Sequence, residues 1–92
     1  MDYVIIAKGL DGKLYHLFVY NYDVDKMVFK WFSEYDSPIA YSTYMNVEAA
    51  LYFIRDKRDK IVNAENATKI DINSISVGKI NVKVKNLKIK PN

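Results

Sequence analysis

The feature that most constrains this chain is the four-residue stretch Gly9-Leu10-Asp11-Gly12, set between two runs of β-branched and aromatic residues, 3–8 (YVIIAK) and 13–20 (KLYHLFVY). An Asp-Gly step tolerates the positive φ that a tight reversal needs, so the two runs are expected to fold back as an antiparallel hairpin. The second run adds a further constraint. Leu14, His16, Phe18 and Tyr20 face one way and Tyr15, Leu17 and Val19 the other, so both faces are largely apolar. Such a strand lies centrally in a sheet covered on both sides, or it offers its rings to a partner.

Residues 21–25 (NYDVD) read as a turn, and residues 26–32 as a third strand with Met27, Phe29 and Trp31 on its dry face. Lys26, Val28, Lys30 and Phe32 take its wetter face. Pro38 bars a central strand position, which leaves residues 39–42 as a short edge strand at most. Over residues 46–62, Val47, Ala50, Leu51, Ile54, Ile61 and Val62 recur at helical spacing and predict one amphipathic helix, interrupted at Arg58, with Leu51 buried against the sheet. Asn46 or Thr43 can cap its start, and Asn63 with Asn66 can close its end. Ile70 and Ile72 stand in strand phase. Ile80, Val82 and Val84 alternate with Lys79, Asn81, Lys83 and Lys85, and the alternation slips at Asn86, where a bulge would restore the facing of Leu87 and Ile89. The expected fold is α+β: a single domain over residues 1–92, with a mainly antiparallel sheet of five or six strands and one amphipathic helix packed on it.

Length and residue types narrow the chemistry. A chain of 92 residues buries about 60 to 65% of its unfolded surface, enough for one core. It has no cysteine and one histidine, His16, so disulfides and thiolate metal sites are ruled out and a Ser-His site would have only one base to draw on. Asp23-Val24-Asp25 resembles the opening of a calcium loop, but the glycine and distal glutamate of that motif are missing. The three glycines do not form a phosphate loop. Glu34 and Asp36 are the nearest approach to a carboxylate pair, and nothing separates them from a solvated loop. The expectation is therefore no catalytic, metal or cofactor-binding residue and no cofactor. No window reaches the 18 apolar residues of a membrane span and residues 1–9 lack a signal-peptide pattern, which points to the cytoplasm.

Charge and aromatics are unevenly placed. Residues 1–50 carry 4 Lys against 7 Asp and Glu, a balance of −3, whereas residues 51–92 carry 10 Lys and Arg against 4 acids, a balance of +6. All 13 aromatics lie at or before residue 53. Lys79, Lys83, Lys85 and Lys88, with Arg55 and Arg58 on the predicted helix, could track phosphates or an acidic partner. Lysines on an exposed edge strand also discourage edge-to-edge aggregation, and the basic strand has no ring on which a base could stack, so nucleic acid is the disfavoured alternative.

Residues 31–54 (WFSEYDSPIAYSTYMNVEAALYFI) resemble a pattern in small uncharacterised proteins of bacteriophages and other mobile elements. In those a β-meander ends in an aromatic, a short A-x-aromatic-x-T strand follows, and an E-A-A-type helix folds back on the sheet. Ala40-Tyr41-Ser42-Thr43 and Glu48-Ala49-Ala50 carry the resemblance here. The excess of Lys over Arg (12 to 2) and of Ile over Leu (10 to 5) suits an AT-rich genome of the kind that hosts such phages. The resemblance implies binding to a host protein, a class that includes anti-defence inhibitors such as anti-CRISPRs.

Thirteen aromatics exceed what one helix can cover, and surface rings are frequent anchors of protein interfaces. The expected function is thus a small non-enzymatic protein-binding module, with Tyr20, Tyr22 and Tyr35 as contact residues at strand ends and Trp31 and Phe29 kept for the core. A homodimer burying the same rings is the competing use of that surface.

Overall fold

The computed structural model describes residues 2–23, 26–34 and 42–79. Local chemistry explains the first reversal. Gly12 takes φ +83°, which side chains rarely tolerate, and its N–H donates to the Gly9 carbonyl at 3.0 Å. The Asp11 carboxylate accepts the Lys13 N–H at 3.0 Å, an Asx turn that locks the corner. Gly9 is needed for a different reason, since a Cβ there would run into the Tyr15 ring.

The flanking runs form β1 (Tyr3–Lys8) and β2 (Leu14–Asp23), followed by β3 (Lys26–Ser33). Two helical segments, α1 (Val47–Asp56) and α2 (Arg58–Val62), and a last strand, β4 (Ser76–Lys79), complete the described fold. The strands make a four-stranded antiparallel sheet in the order β3-β2-β1-β4. The fold is therefore α+β with one main helical element, as expected. Among the described residues the sheet has four strands, not five or six. Residues 39–41 and 80–92, on which part of the larger number rested, lie outside the described residues, as do the slip at Asn86 and the charged run containing Lys83, Lys85 and Lys88.

Helix α1 starts where an Asn cap dictates, with the Asn46 Oδ1 accepting the Ala49 N–H at 2.8 Å. Two corrections to the helix follow. It is broken at Lys57, and its buried face is rotated from the predicted stripe. Ala50 and Ile61 are buried and Ile54 is half-buried, but Leu51 is 42% exposed and Val47 is also exposed. The reason lies in side-chain size: Ala49 and Ala50 let the helix approach the sheet closely, and Phe53 turns inward to meet Phe29 edge-on at a centroid distance of 6.0 Å. Rolling Phe53 in carries Leu51 out.

The core lies between the helices and one face of the sheet, where Ile5, Ala7, Tyr15, Leu17, Phe29 and Trp31 meet Met45, Ala50 and Ile61. Trp31 is fully buried and its Nε1–H donates to the Ile61 carbonyl at 3.1 Å, so the ring's one polar atom is satisfied inside the core. Beyond α2 the chain closes part of the outer edge of β3. The Trp31 N–H donates to the Glu65 carbonyl at 2.9 Å, and the Glu65 N–H to the Phe29 carbonyl at 3.1 Å. Asn66 takes φ +70°, a conformation Asn tolerates better than most residues, and its amide donates to the Trp31 carbonyl at 3.0 Å.

The strand expected near Ile70 and Ile72 is instead two 3-10 turns, Ala67–Lys69 and Ile72–Ser74, so Ile70 is buried while Ile72 is exposed. The Asp71 side chain accepts the Asn73 N–H at 3.0 Å, a local bond that competes with strand pairing. Strand β4 was missed by pattern because it is only four residues long and carries Gly78, which lets Ile6 lie against it. No helix among the described residues is long and apolar enough to cross a membrane.

Candidate interaction surface

The β2–β3 register decides which rings share a face. His16 stands opposite Phe32, Phe18 opposite Lys30 and Tyr20 opposite Val28, all on the sheet face turned away from the helices. Their rings form a continuous ladder. His16 stacks with Phe32 at 6.1 Å, Phe32 meets Phe18 edge-on at 5.8 Å, and Phe18 stacks with Tyr20 at 5.8 Å and 21°. The Lys30 ammonium sits 4.8 Å from the Phe32 centroid and 2.9 Å from a Glu65 carboxylate oxygen, so it is held by a ring and an acid together.

Exposure rises along this ladder. His16 is buried, Phe18 and Phe32 are half-buried, and Tyr20 and Val28 are 45% and 39% exposed. The cause is the unequal length of the strands. The register of β1 with β2 ends at His16, whereas β2 and β3 stay paired out to Asp23 and Lys26. Residues 42–46 fill the space where β1 leaves β2: Met45 bridges to Tyr3, and Thr43 reaches Val19. Past Val19, the described side chains of Tyr20, Asn21, Lys26, Met27 and Val28 are all exposed. Met27, assigned by alternation to the dry face, is 38% exposed because the helices do not extend over this end. A register irregularity between Asn21 and Asp23 shows that β2 continues through the predicted turn, and such bulges increase strand twist.

Of the residues proposed from sequence as contacts, Tyr20 lies on this ribbon and Tyr22 on β2 beside it, while Tyr35 is outside the described residues. The basic residues do not join them. Lys79 ends β4, at the opposite edge of the sheet from β3. Arg55 is exposed on α1, and the exposed Arg58 on α2 donates from Nη2 to the Ile72 carbonyl at 3.3 Å. Pattern alone missed Phe18, Val28 and Phe32 as members of the surface. The signal that could have found them was the second apolar face of β2.

Elsewhere, an open cleft of about 480 Å³ beside the hairpin turn is lined by Leu10, Asp11, Lys13, Tyr15, Ser33 and Lys69. Its carboxylate is committed to the turn. Asp11 accepts the Lys13 N–H and, at 3.1 Å, the Tyr15 hydroxyl; the Lys13 backbone bond is the main cause that holds its pKa below the usual aspartate value. Burial raises the Tyr44 hydroxyl above its ordinary value. Among the described residues no three His, Asp or Glu side chains converge on a point where a metal could sit.

No family model, curated protein or solved structure matches this chain.

Proposed function

We propose that the chain is a cytoplasmic, non-enzymatic protein-binding module that works by occupying a partner's surface in stoichiometric fashion. What supports this is the overhanging β2–β3 ribbon, where Tyr20 and Val28 stand exposed beside a half-buried ladder of Phe18 and Phe32 on the same sheet face. Contiguous apolar surface of this kind is a frequent anchor of a protein interface. The ring geometry favours a protein over single-stranded nucleic acid. Phe18 and Tyr20 stack on each other and Lys30 lies over Phe32, so these ring faces are already engaged, whereas base stacking needs them open. The resemblance to proteins of mobile elements would make the partner a host protein.

The test is the double variant Tyr20→Ala with Val28→Ala, compared with wild type for capture of a partner and for the mass of the complex. The expected result is a 1:1 complex that survives raised salt and is lost in the folded double variant. Unchanged capture removes this surface. A homodimer dissolved by the same variant would make the partner a second copy, binding that collapses with salt and follows Lys79, Arg55 and Arg58 would favour nucleic acid, and turnover of a substrate would overturn the non-enzymatic reading.

A further inference from the structure

We infer that the β2–β3 ribbon beyond Val19 is an arm that opens separately from the sheet, and that the Thr43 side chain is the pin at its base. This concerns how the ribbon is attached and stands whether or not a partner binds there.

The boundary is sharp. Inside the Val19–Phe29 pair, Leu17 and Trp31 are fully buried, and Phe29 itself packs on Phe53. Outside it, Tyr20, Asn21, Lys26, Met27 and Val28 are exposed, so opening the arm uncovers much less apolar surface than opening the core. At the boundary the Thr43 hydroxyl takes the place of a neighbouring strand. Its oxygen accepts the Val19 N–H at 2.9 Å and the hydroxyl donates back to the Val19 carbonyl at 3.3 Å. Because the backbone groups of Val19 point outward to Thr43, antiparallel alternation makes the next pair, Tyr20 with Val28, the one that exchanges backbone bonds across the ribbon. A two-stranded ribbon is marginal in water without a third strand or a covering layer. Its opening therefore costs much less than global unfolding, and the Val19–Phe29 pair is where the cooperative unit ends.

Native-state hydrogen exchange on the full chain, read residue by residue by NMR, tests this. The Tyr20 and Val28 amides are expected to exchange on the order of a hundredfold faster than those of His16, Trp31 and Phe32, at rates insensitive to low denaturant. Thr43→Val is expected to speed exchange at Val19 by about three- to tenfold, the effect of losing one net hydrogen bond, while Thr43→Ser restores the wild-type rate. Equal protection of Tyr20, Val28 and the core amides in the wild type would overturn the arm, whatever the variants do. If Thr43→Val leaves Val19 unchanged or accelerates every amide alike, Thr43 is not the pin.

Discussion

The two ends of the β2–β3 strand pair are built from the same kinds of residue and belong to one ladder, yet they have opposite fates. At the sheet end, Leu17 and Trp31 are fully buried. At the free end, Tyr20, Met27 and Val28 are exposed, although a tyrosine, a methionine and a valine are buried elsewhere as Tyr15, Met45 and Val4. Residue type does not separate the two ends. What separates them is the presence of β1 beside β2 and of the helices across one face, both of which stop short of the ribbon. Hydrophobic burial is a property of coverage, and a strand that outruns its neighbours keeps its apolar residues in water.

The largest test of this contrast compares Trp31 with Tyr20. Trp31→Ala removes the largest buried side chain and one of the donors to the Ile61 carbonyl, so a loss of about 3 to 5 kcal/mol is expected in urea unfolding. Tyr20→Ala should change stability by less than about 1 kcal/mol, because the residue is 45% exposed whereas Trp31 is fully buried. Comparable losses at the two positions would mean that the ribbon is as well covered as the core. Leu51 sharpens the same point on the helix. The predicted stripe implied a cost of about 2 to 5 kcal/mol for Leu51→Ala, whereas its exposure calls for about 1 kcal/mol or less, so a chevron or denaturant midpoint distinguishes the two helix rotations.

The smallest effect belongs to the hairpin turn. Asp11 has a folded pKa lower than its unfolded one, so its contribution is fully present above the unfolded value, about pH 4, and is lost as pH falls through the folded value. Asp11→Asn should therefore flatten the acid limb of the stability profile and leave the neutral plateau with only a minor offset, since the group is fully exposed. An unchanged acid limb would show that the turn carboxylate is not part of that limb.

Much of the fold was legible in the residues. The Asp11-Gly12 turn, the antiparallel hairpin it closes, the third strand and the Asn46 cap all follow from interactions within a few residues, and each is where the pattern puts it. Legibility failed where a local turn competed with strand pairing or a distant group took over. Ile72 stands in strand phase but is exposed, because Asp71 and Ser74 close local turns there through their side chains. Thr43 stands where it could cap the helix, yet its hydroxyl binds Val19, 24 residues earlier. On the candidate surface, Tyr20 was named from its position at a strand end, whereas Phe18, Val28 and Phe32 needed the register that sets them on one face.

By itself, the sequence determined the reversal at Gly9 to Gly12, the period-two strands around it, the start of the helix and the absence of cysteine chemistry. These depend on backbone sterics, side chains that bond their own neighbours and residue inventory, all of which act at short range or need no geometry. Only the tertiary structure decided which face of α1 meets the sheet, that Met27 and Val28 are exposed while Trp31 is buried, and that the rings of β2 and β3 join into one ladder. Those outcomes turn on which element stands opposite another, and in a chain whose strands are apolar on both faces, alternation alone cannot say which face will be covered.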